Sequence, residues 1–306
     1  MSIGIGIGLN GWPFGSAGAD AFWDYIDLAE SLNIDSIWLS DRVVSDTLSL
    51  EPVVALSCVA ARTRKMKVGT SVLALPLRNP TVLAKELATL DFLSGGRLLL
   101  AVGLGRDEDR EAQACGISRT ERSARTEEMV HLLRLLWSEA EVTFAGDFYQ
   151  LDGVAIRPKP IQTAPPIWVG GRSRPAFRRT ARLADGWLAS QITPDEVRSA
   201  IAQIKGYCAE YHRRIDEDHF GVLFNFCFAR DATTAAKLAR PHALRNRSDV
   251  DFTESSALGT VEDIAATVQR YIEAGASKFV ARPACPPEAI DEQLERLGRE
   301  LIPRFS

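Results

Sequence analysis

The stretch "GTSVLALPLRNPTVLAKELATLDFLSGGRLLLAVGLG", residues 69–105, sets the frame for the whole chain. It holds two short apolar runs with a longer one between them. Lys67–Leu73 and Leu98–Gly103 are too short for helices and read as buried strands. Pro80–Leu93 opens with proline at a first-turn position and halts at Gly95-Gly96, so it reads as a helix. Strand, helix and strand in this order predict two parallel strands joined by a crossover helix.

The same unit recurs on both sides. Strands are expected at Ile3–Leu9, Ile34–Leu39, Ile167–Gly170, Gly186–Ser190, Val222–Ala229 and Lys278–Ala281, which brings the set to eight. Helices are expected at Ala19–Leu32, Pro52–Arg62, Pro175–Leu183, Pro194–Arg213, Thr233–Arg245, Val261–Glu273 and Pro287–Leu301. Eight alternations predict a (β/α)8 TIM barrel, one domain over residues 1–306. One connection, about 104–166, is a long insertion after the fourth strand. It holds a helix near Thr120–Ser138, a hairpin in "VTFAGDFYQL" around Ala145-Gly146-Asp147, and an extended "RPKPIQTAPP".

Composition bounds the function. The chain has 306 residues, 46% hydrophobic and 25% charged, which is ordinary for a globular protein. A net charge of −4 and a pI near 5.7 leave no nucleic-acid footprint. No apolar stretch approaches the roughly 20 residues of a membrane span. The N-terminal "MSIGIGIGLNGWP" lacks a basic n-region, so a cytoplasmic location is expected. Five scattered cysteines without a Cys-x-x-Cys pair suit a reduced compartment and argue against structural zinc.

Candidate chemistry lies where the strands end, because a barrel builds its active site from those loops. Gly4, Gly6 and Gly8 alternate inside a strand and open no helix, so they read as small residues on one face of a barrel strand rather than a dinucleotide fingerprint. His131, His212, His219 and His242 all fall away from the strand ends, and no metal site is expected. After the strands come Asn10, Trp12 and Phe14; Ser40, Asp41 and Arg42; Ser71-Val72; Gly103, Gly105, Arg106 and Glu108; Gly170-Gly171-Arg172-Ser173; and Arg282. Aromatic walls, one acid and several arginines, without a histidine or an obvious nucleophile, suit a bound anionic cofactor that carries the chemistry. Gly170–Ser173 leads into a helix and could cradle a phosphate.

The chain resembles the bacterial luciferase-like family of flavin and deazaflavin oxidoreductases over nearly its whole length. "IWLSDR" resembles the family's second strand, residues 69–105 its third and fourth, and "RPKP", "PPIWVGG" and "ARLADGW" its fifth and sixth units. The resemblance implies a non-prolyl cis peptide at Ser71-Val72 that backs the cofactor ring, with Gly103 beside it. It also implies a phosphate site at Gly170, Gly171, Arg172 and Ser173, and an acid, Asp41, near the ring's polar edge. Trp12 and Phe14 would flank the substrate cavity. Arg42 stands where many members have a histidine. With a pKa above about 12 it is a poor proton shuttle, and it would hold an anion or carbonyl or pair with Asp41. Asp41, Arg42 and Glu108 are thus the catalytic candidates.

The expected activity is hydride transfer between coenzyme F420 and a small organic substrate. The first alternative is an FMN-dependent monooxygenase fed by a separate reductase. The second is a non-catalytic flavin-binding relative. A homodimer is what the resemblance implies.

Overall fold

The computed structural model describes residues 3–106, 109–243 and 247–305. The strands are β1 (Gly4–Leu9), β2 (Ser36–Leu39), β3 (Lys67–Thr70), β4 (Leu73–Ala74), β5 (Leu98–Gly103), β6 (Val142–Ala145), β7 (Gln150–Val154), β8 (Ile167–Gly170), β9 (Gly186–Ser190), β10 (Phe220–Phe228), β11 (Ser256–Gly259) and β12 (Lys278–Pro283). Parallel pairing runs from β1 through β2, β3, β5, β8, β9, β10 and β12 back to β1, so the sheet closes into an eight-stranded barrel. β4 continues β3 past an interruption at Ser71-Val72 and pairs with β5.

The helices are α1 (Ala19–Ser31), α2 (Pro52–Arg62), α3 (Pro80–Ser94), α4 (Asp109–Ala114), α5 (Arg122–Ser138), α6 (Arg174–Leu183), α7 (Pro194–Glu210), α8 (Ala232–Ala239), α9 (Val261–Glu273) and α10 (Ile290–Arg296). The punctuation read from sequence is what the backbone uses. Asn79 caps α3 by accepting the Thr81 and Val82 N–H groups, and Gly95 ends it with φ of 70°.

Three expectations are corrected. The helix expected over Thr233–Arg245 ends at Ala239, just before Pro241, whose ring cannot continue the ladder. Ser256–Gly259 forms an unexpected strand beside Asn225–Phe228, beyond the part of β10 that β9 covers. Its "SALG" has little intrinsic strand preference, so pairing with β10 decides its state. β12 runs on to Pro283 rather than stopping at Ala281, which carries Arg282 into the barrel wall.

Inside the barrel, Trp38, Ala101, Trp168, Leu188, Leu223 and Val280 form one apolar cluster. Glycines on neighbouring strands make room for the two indoles. A Cβ on Gly69 would come within 2.6 Å of Trp38, and one on Gly186 within 2.5 Å of Trp168. The glycines of β1 belong to the same scheme: a Cβ on Gly6 would meet Ser36 and one on Gly8 would meet Val280.

The N-terminal end of the barrel is closed by charge. Asp35 accepts from Lys67 at 3.0 Å and from Ser36 Oγ at 2.8 Å, and it pairs with Lys278. Ser36 Oγ accepts in turn from Trp38 Nε1 at 2.9 Å. Burial opposes ionisation of Asp35, but the two ammonium groups outweigh it and hold the carboxyl at about 2.

The segment between β5 and β8 carries α4, α5 and the antiparallel β6–β7 hairpin. Two acids fix its path. Asp91 accepts from the backbone N–H groups of Ile161 and Gln162 and from the Gln162 side chain. Glu128 takes the N–H groups of Asp147, Phe148 and Tyr149 at the hairpin turn. Among the described residues, no helix is long and apolar enough to cross a membrane.

Candidate active site

Two residues beyond the apolar layer, the inward positions change character. Trp38 is followed inward by Ser40, Ala101 by Gly103, Trp168 by Gly170, Leu188 by Ser190, and Val280 by Arg282. Alternation along each strand keeps these pairs on the same face. All five second-layer residues line a cavity of about 420 Å³ at the C-terminal mouth of the barrel. That volume lies within the ordinary range of small-molecule sites.

The cavity gathers most of the residues singled out in the sequence. Asp41, Arg42, Ser71, Val72, Gly103, Gly170, Gly171 and Ser173 all line it, together with Asn10, Arg106 and Arg179. The Ser71-Val72 peptide is cis, as the resemblance implies. Two glycines accommodate the turned-in valine. A Cβ on Gly103 would stand 2.8 Å from Val72 Cγ2, and one on Gly170 would stand 2.9 Å from Val72 Cγ1. Val72 thus forms a ledge between β5 and β8, and both glycines are required by its bulk rather than by their own backbone angles.

Gly171 has a φ of +123°, a conformation that favours glycine. The chain then turns into α6, whose N-cap Ser173 accepts from the Ala176 N–H. A glycine turn at a helix N-terminus offers backbone donors and a positive dipole end, the requirements of a phosphate site.

Asp41 is held differently from either reading of the sequence. Its carboxylate accepts from the Ala74 N–H at 2.9 Å and from Arg78 Nη2 at 2.8 Å, and its side chain is 1% exposed. Arg78, and not Arg42, is therefore its ion-pair partner. Arg78 also reaches Glu51 at 3.0 Å. Burial raises the Asp41 pKa, while Arg78 and the Ala74 N–H hold it down. Through Ala74 the acid ties the end of β2 to β4, directly after the cis peptide. Glu111 of α4 secures the next loop by accepting from the N–H groups of Val43 and Val44.

Three candidates lie elsewhere. Phe14 is not a cavity wall. It is buried in the core, edge-on to Trp12, Phe22 and Tyr25. An aromatic soon after a strand can fold back under the next helix, and nothing in its spacing separates that from facing a ligand. Trp12 donates to the Ala17 carbonyl and lines a smaller side pocket of about 150 Å³ that also holds Asn10 and Arg282. Arg172 is exposed, and its guanidinium donates to the Ser190 carbonyl outside the cavity lining. Glu108 lies outside the described residues.

The arginine-rich face of α6 is largely occupied by the protein's own acids. Arg178 pairs with Glu210, and Arg179 and Arg182 both pair with Glu127. Ser40, Ser71 and Ser190 hydroxyls and Arg282 Nε are buried at the cavity without a hydrogen-bond partner among the described residues. Buried polar groups of this kind ordinarily find a partner, so a polar ligand fits the wall they form.

Comparison with known proteins gives the same frame. The chain is 36% identical over 173 residues to an F420-dependent glucose-6-phosphate dehydrogenase of Kineococcus radiotolerans, covering 55% of this chain and 51% of that one. It is 33% identical over 190 residues to an FMNH2-dependent dimethylsulfone monooxygenase of Pseudomonas fluorescens, covering 61% and 50%. The chain therefore spans about half the length of these curated relatives. Among solved structures, monooxygenase RslO1 of Streptomyces bottropensis superposes with a TM-score of 0.86 at 22% identity, covering 99% of this chain and 100% of that one. An F420-dependent secondary alcohol dehydrogenase superposes at 0.84 and 20% identity over the whole of both chains. At such identities the likeness shows the fold. Residues 5–291 match the family described as luciferase-like monooxygenase, and the chain belongs to that family.

Proposed function

We propose that the protein is an oxidoreductase that uses coenzyme F420 on a small organic substrate. The observation that carries this reading is the Val72 ledge, set between Gly103 and Gly170 and adjoining the glycine turn that starts α6. A flat ring would rest against the ledge, with its phosphate toward Gly170, Gly171 and Ser173. When bound, the deazaflavin gives or takes a hydride.

The chain's own residues would bind, orient and hold charge. Asp41 would act as a positioning residue, fixing the ledge through the Ala74 N–H. Arg42, at the cavity mouth, would stabilise negative charge on the substrate rather than shuttle a proton, because its charge is fixed near neutral pH. Glu108 is proposed as a proton donor on sequence position alone.

FMN is the second reading, and an FMNH2-dependent relative of nearly equal identity favours it. That reading would require a reductase partner. The engagement of Arg178, Arg179 and Arg182 by Glu210 and Glu127 removes a reason to expect an especially polyanionic coenzyme tail. The F420 reading therefore rests on the ledge and on the F420-dependent relative. A non-catalytic relative is the poorer account, since a disused cavity gains nothing from a buried guanidinium whose Nε finds no partner among the described residues.

We also infer a homodimer, because α2 and α3 expose large apolar side chains side by side. The deciding experiment for the cofactor is fluorescence titration of the purified protein with F420 and FMN, each oxidised and reduced. Tighter F420 binding is expected. Tighter FMN binding with oxygen-dependent consumption of reduced FMN would establish the monooxygenase reading instead.

A further inference from the structure

Arg282 is a cavity residue whose chemistry the proposed function leaves unused. It lies on β12 two residues after Val280, so alternation turns it to the barrel interior. Its side chain is buried, and its Nε has no hydrogen-bond partner. Burial alone pushes its pKa down to about 9, with no neighbouring carboxylate acting on it. It therefore remains a cation at neutral pH. An isolated buried charge is strongly unfavourable, and buried charges are ordinarily paired.

The position of Arg282 points to what would pair with it. It lines the main cavity and also the side pocket of about 150 Å³, and Asn10 is shared by the two. Trp12, Pro13, Pro283 and Cys285 line that side pocket together with the polar His242, and among the described residues no carboxylate lines it. The Cys285 thiol is pushed up to about 12 by burial and by neighbouring Cys227 and acids, so it is neutral. Among the described residues the carboxylate that lines the main cavity is Asp41, already engaged by Arg78. A planar guanidinium in such a setting matches a carboxylate in a two-point hydrogen bond.

We propose that Arg282 anchors a carboxylate of the substrate at the junction of the cavity and the Trp12 pocket, so that the substrates are organic acid anions. This rests on the reading of the cavity as the active site. An apolar part of the acid would occupy the pocket walled by Trp12 and the two prolines. The reacting carbon would then face the Val72 side of the cavity. An analogue without the charge would leave the buried guanidinium unpaired, so discrimination against neutral analogues should be strong.

The test is calorimetric titration of the purified protein with straight-chain monocarboxylates from acetate to octanoate and with the matching primary amides. At least one carboxylate should bind about tenfold or more tightly than its amide, the scale of a charge-assisted hydrogen bond. Arg282→Met should abolish that preference while F420 or FMN affinity stays within about twofold. It should also raise Tm by about 2 °C or more, because an unpaired buried charge is removed. Asn10→Asp keeps the arginine, places a competing acid at the same junction, and should likewise abolish the preference. Should Arg282→Met fail to fold, Asn10→Asp decides. Equal affinity for acids and amides at every chain length overturns the anchor, as does a preference that survives both substitutions. Loss of cofactor affinity in Arg282→Met, with carboxylate binding intact, would assign the residue to the cofactor. Arg282-dependent carboxylate binding without affinity for either cofactor would sink the oxidoreductase reading and leave the anchor standing.

Discussion

At the scale of the residue, the two ends of the barrel use buried charge for different ends. At the N-terminal end, Asp35 joins Lys67 of β3 to Lys278 of β12. Its carboxyl sits at about 2 in the fold, against an ordinary 3.8. A carboxyl with a depressed folded pKa adds stability above its unfolded pKa, and loses it as pH falls through the folded value. The contribution here is about 2 kcal/mol, fully present above pH 4 and lost towards pH 2. Asp35→Asn should therefore lower stability by about that amount at pH 7, and the gap between variant and wild type should narrow on acidification. Urea denaturation at pH 7, 4 and 3 measures it. A gap that stays constant with pH would show that the ion pair is not its source. At the C-terminal end, Asp41 is matched by Arg78, and among the described residues no acid acts on Arg282. Charge that stabilises closes the bottom of the barrel, and charge left over faces the cavity.

At the scale of the element, the ledge between β5 and β8 depends on missing side chains. Gly170→Ala would place a Cβ 2.9 Å from Val72 Cγ1, where a packed strand cannot give way easily. The expected result is a stability loss of about 1–3 kcal/mol and a fall in cofactor affinity of at least about tenfold, as Val72 is pushed off its seat. Gly206→Ala in α7 is the control, since a Cβ there meets nothing within 4 Å. It should add about 0.5–1 kcal/mol and leave affinity unchanged. Unaltered cofactor binding by a folded Gly170→Ala protein would remove the ledge from the site. The barrel strands were legible because each is a short apolar run and because Pro and Gly mark the helix ends. The Ser71-Val72 cis peptide was reached through family resemblance, since composition there says nothing of peptide geometry, whereas the glycine turn could be read from its residues and the helix that follows it. The partner of Asp41 was not legible. Arg78 is 37 positions away and meets it only once β3 has paired with β2 and the chain has run on through β4. Phe14 and Arg282 were misplaced or left without a role for a common reason. Direction within a loop, and the true end of a strand, depend on tertiary packing. Counting by twos from Val280 would have turned Arg282 inward, had β12 been extended by two residues.

At the scale of the whole molecule, the outer face of α2 and α3 carries the next expectation. α2 and α3 pack against each other. They leave Val54 65%, Val82 55%, Phe92 51% and Leu93 76% exposed. Scattered apolar residues on a surface need no explanation, but these four share one helix pair beside a broad groove lined by Val53, Val54, Ala61, Leu90 and Leu93. Arg78 and Glu51 also line that groove, so the Asp41–Arg78–Glu51 chain runs from the cavity wall to this face. A second copy of the chain would bury the patch symmetrically, one pair of helices against its equivalent. Two consequences can be read independently. Sedimentation velocity should show a dimer at micromolar concentration, and the Tm of the wild type should rise with protein concentration because association stabilises the folded state. Leu93→Glu should abolish both, since it places a charge at the most exposed apolar side chain of the patch. A monomeric wild type, or a Leu93→Glu protein that still dimerises with an unchanged concentration dependence, would show that the patch serves some other contact. The buried Arg78 bridge gives the experiment a further reading. If the second copy stiffens Glu51 and Arg78, the Leu93→Glu monomer should hold the Val72 ledge less firmly and bind its cofactor more weakly than the dimer does.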